Sequence, residues 1–240
     1  MRRRFFVDAF DAGRAVLTGD AAHHLGRVLR AEPGQLYELS DGSEVWLGRV
    51  ASSAKDRVEF LLLEPLPTAS SSLHKTLLLA VVKFEAFEWA LEKATELGVD
   101  RIVPTAAARS EKALVERAPK RAERWRKIVF EASQQSRRVR LPVLEPLADA
   151  AAALRGQQAD LKVLLSERGG APPLRQVLEG RRPQSAALAV GPEGGWTDGE
   201  LAAAAGAGFA EASLGPRILR TETAVAAALG NLNYALEAGN

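Results

Sequence analysis

The hydrophobic pattern of this chain changes period at one Pro/Ser-rich stretch, Pro65-Leu66-Pro67-Thr68-Ala69-Ser70-Ser71-Ser72. Before it, short runs at 5–9, 15–19, 36–40, 45–51 and 58–64 have strand character. Asp41-Gly42 falls between two of them and is a hairpin signal. A short helix fits 21–29, with Asp20 as its cap. Several short strands and one helix predict a small barrel-like module. After the stretch, strands alternate with helices. Strands are expected at 77–82, 101–104, 161–165, 187–190 and 211–214. Helices are expected at 85–97, 120–136, 174–178, 199–205 and 223–237. That alternation predicts a mostly parallel sheet covered on both faces. The domain boundary is expected at the stretch itself, giving 1–68 and 69–240.

Composition limits what such a chain does. Apolar residues make up 47% and charged residues 26%, which suits a packed globular protein rather than a disordered one. No run approaches the ~20 apolar residues of a membrane span. The basic N-terminus is followed by Asp8 and Asp11 rather than by an apolar signal core, so a cytoplasmic location is expected. Cysteine is absent, which excludes disulfides and thiolate metal sites. His23, His24 and His74 have no metal-ligand spacing, and no metal is expected. The net charge of +2 says little, but residues 101–140 hold twelve Lys or Arg against four Glu, an excess of 12 − 4 = 8. An RNA footprint and a solvated Arg-rich helix face both fit that span. Trp125 is expected in the core, and Trp46 suits either a core or a surface role.

Two loops carry the chemistry. The first, Gly191-Pro192-Glu193-Gly194-Gly195-Trp196, leaves an apolar strand and enters a helix. Ligands of open α/β sheets bind at the carboxyl ends of strands, so its position suits a site. It lacks the lysine and glycine spacing of a phosphate cradle, and Glu193 would repel phosphate. A neutral or cationic ligand fits it, and so does a tight turn with a surface glutamate. The second runs Ser213-Leu214-Gly215-Pro216-Arg217-Ile218-Leu219-Arg220-Thr221-Glu222-Thr223-Ala224. Ile218 and Leu219 could pack on an aromatic ring, and the flanking arginines could hold an anion. Thr221 would cap the following helix, with Glu222 stabilised by its dipole.

Together the two loops resemble the paired cofactor loops of the SPOUT methyltransferases, and within them the RsmE family. Further blocks resemble that family: His23-His24-Leu25 with Val28-Leu29-Arg30 and Gly34; the 92–99 helix ending; Arg109-Ser110; and Glu131-Ala132 through Gln135-Ser136 to Arg138. The chain departs from it at Phe84-Glu85, where Gly-Asp is frequent. It departs again at Gln134 and Arg137, where Glu and Gly are frequent. The resemblance implies a PUA-like β-barrel for RNA over 1–68 and an α/β domain with a trefoil knot over 69–240. It also implies a homodimer, S-adenosylmethionine as cofactor, and methylation of uridine N3 in 16S ribosomal RNA, free or in the small subunit. Cofactor binding then falls to Gly191, Pro192, Glu193, Gly194, Gly195, Leu214, Gly215, Ile218, Leu219, Thr223 and Ala224. Arg220 is the first catalytic candidate, with Glu222 as proton acceptor or orienting group and Arg138 and Arg109 as weaker candidates. Arg27, Arg30 and Arg109 are expected to contact RNA. A SPOUT enzyme acting on a ribose 2′-hydroxyl or another base is the nearest rival. A non-catalytic RNA-binding protein of ribosome assembly is the rival from another class.

Overall fold

The computed structural model describes residues 3–54, 56–68 and 71–237, so Ala69 and Ser70 of the Pro/Ser stretch lie outside the described residues. The chain forms two compact units. The first holds Met1–Ser70 and Ser133–Leu141; the second holds Ser71–Ala132 and Pro142–Asn240.

The first unit is built on β1 (Arg4–Phe6), β2 (Phe10–Asp11), β3 (Arg14–Thr18), α1 (Gly19–His23), β4 (Leu36–Ser40), β5 (Val45–Ala54) and β6 (Arg57–Pro65). The sheet order is β1-β4-β5-β6-β3-β2. Neighbours are antiparallel except β1 beside β4. Alternate residues point inward, so Phe5, Leu17, Leu39, Val50 and Phe60 share one core with Leu25. Phe10, on the far edge strand, packs against the same core, so the sheet curls around it as a half-barrel. The β4–β5 hairpin turns where Asp41-Gly42 predicts. Gly42 takes φ +90°, and Asp41 Oδ1 accepts the N–H groups of Ser43 and Glu44 at 2.8 and 2.9 Å. Burial works against that carboxylate's charge, but these hydrogen bonds outweigh it and lower its pKa.

The helix of this unit differs from expectation. It starts at Gly19, with Thr18 as N-cap and no side-chain capping bond, so Asp20 lies inside the first turn. Gly19, at φ +62°, bends the chain from β3 directly into the helix and displaces Asp20 from the cap. The helix then widens into a π-helical turn over His24–Val28, closed by Leu29 N–H donating to His24 O at 3.0 Å.

The second unit opens with β7 (His74–Ala80), α2 (Phe84–Glu96) and β8 (Arg101–Ala106). Helices α3 (Lys112–Arg117) and α4 (Ala122–Gln135) follow, separated by a 3-10 turn, Ala118–Arg121. Then come β9 (Val143–Leu144), β10 (Ala148–Asp149), α5 (Ala150–Arg155), β11 (Leu161–Leu165), α6 (Leu174–Leu178), β12 (Ser185–Val190), α7 (Asp198–Gly206), β13 (Ala210–Ala212) and α8 (Thr221–Leu236). The strands lie in the order β10-β8-β7-β12-β11-β13, with β9 beside β8, and every pair is parallel. Leu77, Leu79, Val163, Leu188 and Val190 face one core, and Leu78, Ala80, Leu164, Ala187 and Ala189 face the other. A parallel sheet buried on both faces is the reason these strands are apolar throughout.

Helix α3 was not foreseen. Pro119, which has no N–H to donate, sits in the first turn of the 3-10 segment that separates α3 from α4, and α4 matches the helix expected at 120–136. Trp125 is buried as expected, its ring centroid 4.4 Å from that of Phe87. The alanine-rich stretch from 148 forms β10 and α5, and Asp149 caps α5 by accepting Ala152 N–H at 2.8 Å. Lys75 at the start of β7 is 2% exposed. Its ammonium is satisfied by Leu97 O, Asn233 Oδ1 and the Glu237 carboxylate, the condition under which a buried charge is tolerated.

Candidate active site

Strands β12, β11 and β13 are neighbours and parallel, so the segments that leave them emerge at one edge of the sheet. These segments, 166–168, 191–196 and 213–220, line a cavity of about 330 Å³. The size is within the usual range for a small-molecule site.

The loop after β12 is locked by its own residues. A Cβ on Gly191 would lie 2.9 Å from the Trp196 ring, so only glycine leaves that indole its place. Trp196 is 7% exposed, and its Nε1 donates to Leu165 O at 2.9 Å, tying this loop to the end of β11. Thr197 and Glu200 form a capping box at the start of α7. The same Glu200 carboxylate accepts Ala108 N–H at 2.8 Å. Next along the chain, Arg109 Nη1 donates to Gly194 O at 2.9 Å. A Cβ on Gly194 would come within 3.2 Å of the Arg109 Cβ, so this glycine admits the arginine as well as a ligand. The second loop is tied to the first by Thr221 Oγ1, which donates to Gly191 O at 3.1 Å.

That bond corrects the reading of Thr221 as a cap. The N-cap of α8 is Arg220, in extended conformation and without a side-chain capping bond. Thr221 is the first helical residue, and its hydroxyl is committed to the neighbouring loop.

The structure gathers most of the candidate residues. Gly191, Pro192, Glu193, Gly194, Gly195, Leu214, Gly215, Ile218, Leu219 and Ala224 line the cavity, and Arg220 and Arg109 stand at its wall. Thr223 and Glu222 are not among the lining residues; Glu222 is half-buried in the first turn of α8. Arg138, Arg27 and Arg30 belong to the first unit. The third wall, Leu165, Ser166, Glu167 and Arg168, was missed. Its signal was available: 161–165 reads as a strand of the same parallel sheet, and a polar Ser-Glu-Arg-Gly-Gly segment leaves it. Glu167 stands over Gly195, its Oε1 3.6 Å from where a Cβ there would lie. Arg168 Nη1 pairs with Asp198 at 3.2 Å.

The lining bears on what this cavity can hold. Leu165, Val190, Leu214, Leu219 and Ala224 offer apolar surface for a flat ring, and exposed backbone amides and carbonyls offer polar edges. Among the lining residues, Glu167 and Glu193 bring negative charge and Arg109, Arg168, Arg217 and Arg220 bring positive charge, so the wall carries both signs. A flat aromatic base fits the apolar part of this wall, a cationic group fits beside Glu167 or Glu193, and the loop after β12 lacks the lysine and glycine spacing of a phosphate cradle. Among the described residues, no three His, Cys, Asp or Glu side chains gather to hold a metal ion. No described helix is long and apolar enough to cross a membrane.

Known proteins share this fold. The RNA methyltransferase domain family matches residues 69–233, and the RNA methyltransferase PUA domain family matches residues 17–63. The fold is thus that of an RNA methyltransferase. Ribosomal RNA small subunit methyltransferase E of Synechocystis sp. is 36% identical over 92% of this chain and 73% of its own length. Its counterpart in Bacillus subtilis is 33% identical over 98% of this chain and 97% of its own. The solved structure of the Neisseria gonorrhoeae enzyme, bound to S-adenosyl methionine, superposes with a TM-score of 0.89 at 32% identity, covering 99% of both chains. A Legionella pneumophila protein in complex with the bound cofactor SAM gives a TM-score of 0.90 at 30% identity, covering 100% of both. The chain belongs to the ribosomal RNA small subunit methyltransferase E family.

Proposed function

We propose that the protein transfers a methyl group from S-adenosylmethionine to N3 of a uridine in 16S ribosomal RNA, as a cytoplasmic homodimer with the knotted SPOUT chain path. The observation that carries this reading is the cavity at the edge of β12, β11 and β13. It is built from both loops that resemble the family's cofactor loops. Two structural relatives at 30% and 32% identity were solved with that cofactor.

When bound, the cofactor supplies an electrophilic sulfonium methyl. Everything else falls to the chain. The backbone of Gly191, Pro192, Glu193, Gly194 and Gly195, and of Leu214 and Gly215, lines the ligand's path. Gly191 O, Pro192 O and Gly194 O already accept from Thr221, Gly195 and Arg109, and the Glu193, Gly194 and Leu214 amides have no partner among the described residues. Leu214, Ile218, Leu219 and Ala224 provide an apolar slot for adenine. Glu167 and Glu193 place negative charge where the ligand is cationic. Uridine N3 is a poor nucleophile while it carries its proton, so negative charge must develop on the flanking carbonyl oxygens. Arg220 stands exposed at the cavity wall, and the helix N-terminus fixes its backbone. Its guanidinium, brought to the anion's carbonyl oxygens, would stabilise that charge. Glu222 sits outside the lining, which favours an orienting role at the positive end of α8 over that of proton acceptor. RNA is held by Arg27 and Arg30 of the first unit and by Arg109 at the cavity wall.

Mass spectrometry of nucleosides from 16S RNA tests the proposal directly. RNA from a deletion strain should lack N3-methyluridine and regain it when incubated with this protein and S-adenosylmethionine. A different modified nucleoside, or none, overturns it.

A further inference from the structure

The segment Arg137-Arg138-Val139-Arg140 belongs by sequence to the stretch matched by the methyltransferase domain, yet it packs in the first unit. How it is held there is specific. Arg4 and Glu38, opposite each other on β1 and β4, are 7% and 8% exposed. Arg4 Nε and Nη2 both donate to Glu38 Oε2, at 3.2 and 2.9 Å. The remaining Arg4 nitrogen, Nη1, donates to the carbonyl of Arg137. The other carboxylate oxygen, Glu38 Oε1, lies 3.5 Å from Arg137 Nη1. One buried carboxylate therefore serves two arginines. Ser40, two residues on, donates through its hydroxyl to Val139 O at 2.8 Å, and Arg140 Nε donates to Gly42 O at 2.7 Å. Arg137 itself takes φ +56°, a left-handed conformation costly for a side chain with a Cβ, so the segment's path is imposed by these bonds rather than by local preference.

Three arginines in four residues, fixed by buried charge on a unit whose family match is an RNA methyltransferase PUA domain, suit a polyanion's backbone. We infer that this segment is part of the first unit's RNA-binding surface, and that Glu38 is the positioning residue that sets it against RNA phosphates. The inference rests on the RNA-binding reading above. It moves Arg138 from methyl transfer to RNA binding, and it makes the RNA-binding unit discontinuous in sequence.

The test is binding of the full-length protein to a 16S RNA fragment across a salt series, with S-adenosylmethionine affinity measured in parallel. Replacing Arg138 and Arg140 together with Ala alters only half-buried and exposed side chains. It should weaken RNA binding at least tenfold and flatten the dependence of log affinity on log salt by ~0.7 for each phosphate that is no longer neutralised. Glu38→Gln keeps an acceptor for Arg4 but gives up the charge that holds Arg137. It should flatten the salt dependence in the same direction with cofactor affinity unchanged. A merely structural role would lower the folded fraction equally at every salt concentration and leave the slope alone. An unchanged slope in the double arginine variant overturns the inference while wild-type RNA binding stands. Wild-type binding that does not respond to salt overturns both this inference and the RNA-binding reading beneath it.

Discussion

The two units solve the problem of placing charge in opposite ways. In the second unit Arg168 of the cavity wall pairs with Asp198, but the two arginines nearest the proposed chemistry sit on loops and are placed through the backbone. Arg109 bonds the carbonyl of Gly194, and Arg220 is fixed as the first residue before α8. In the first unit charge is held by charge, with Arg4 and Arg137 meeting on the buried Glu38. The first arrangement leaves guanidinium groups available to a ligand, because the Gly194 carbonyl accepts from one nitrogen of Arg109 and the Arg220 side chain is exposed at the cavity wall. The second gives up part of its charge to internal pairing and gains a fixed path for the segment that follows. A cavity that binds a small molecule and stabilises a developing anion needs the former. A surface that meets a polyanion at many points tolerates the latter.

The largest effect that would break this contrast is at Arg220. If its guanidinium stabilises the uridine anion, Arg220→Ala should lower turnover by ~10²–10³, the range for losing one such donor. Cofactor affinity, measured by calorimetry, should barely change. Arg220→Lys should restore little, because an ammonium lacks the planar fork. Turnover within a factor of a few of wild type would remove Arg220 from the site. Glu222→Gln, in contrast, should keep most activity, since the amide still offers a carbonyl oxygen; a collapse would assign it the proton.

A smaller effect is expected at Gly194. A valine there must displace Arg109, whose Cβ lies 3.2 Å from the new Cβ, and it fills space beside the cavity. Cofactor affinity should fall at least tenfold, or ~1.4 kcal/mol, in a protein whose circular dichroism is unchanged. Unaltered affinity would detach this loop from the cofactor.

The smallest effect concerns acid. Burial of Glu237 would raise its pKa, but hydrogen bonds from Lys75 and Ser71, with the Lys75 charge, lower it instead. A carboxyl whose folded pKa is below its unfolded one contributes fully above the ordinary glutamate value. That contribution is lost as pH falls through the lower, folded value. Denaturant unfolding of the wild type should therefore show a loss of stability below about pH 4 that Glu237→Gln lacks. The group is partly solvated, so the contribution is at most about 1 kcal/mol. Identical pH profiles would show that the pair with Lys75 does not stabilise the fold.

The same contrast governs what the sequence could show. Each wall of the cavity directly follows its own strand, so strand–loop–helix order is enough to find it; β11 and β12 are legible as apolar runs, and so are the loops after β12 and β13. The loop after β11 escaped because Glu167 and Arg168 form no motif by themselves. Their place in the site comes only from β11 lying between β12 and β13, a sheet order that sequence does not state. Thr221 escaped for a related reason: a threonine at a helix start reads as a cap, and only the neighbouring loop's carbonyl shows otherwise. The first unit was legible in its strands and its Asp41-Gly42 turn. Its last component was not, because residues 133–141 arrive roughly a hundred positions after β4. One trace was visible. Arg137 stands where the family resemblance leads one to expect glycine, and the structure puts that residue in a left-handed conformation.

The division of labour between the units is tested most directly by paired titrations of S-adenosylmethionine and a 16S RNA fragment into three proteins. These are the wild type, Gly191→Ala, whose Cβ would crowd the Trp196 ring, and the Arg27→Ala, Arg30→Ala double variant. The account predicts a crossed result. Gly191→Ala loses cofactor affinity by tenfold or more and keeps RNA binding, and the double arginine variant loses RNA affinity and keeps the cofactor. If both affinities fell together in either variant, with the fold intact, the two units would not hold separate ligands and the account would be wrong.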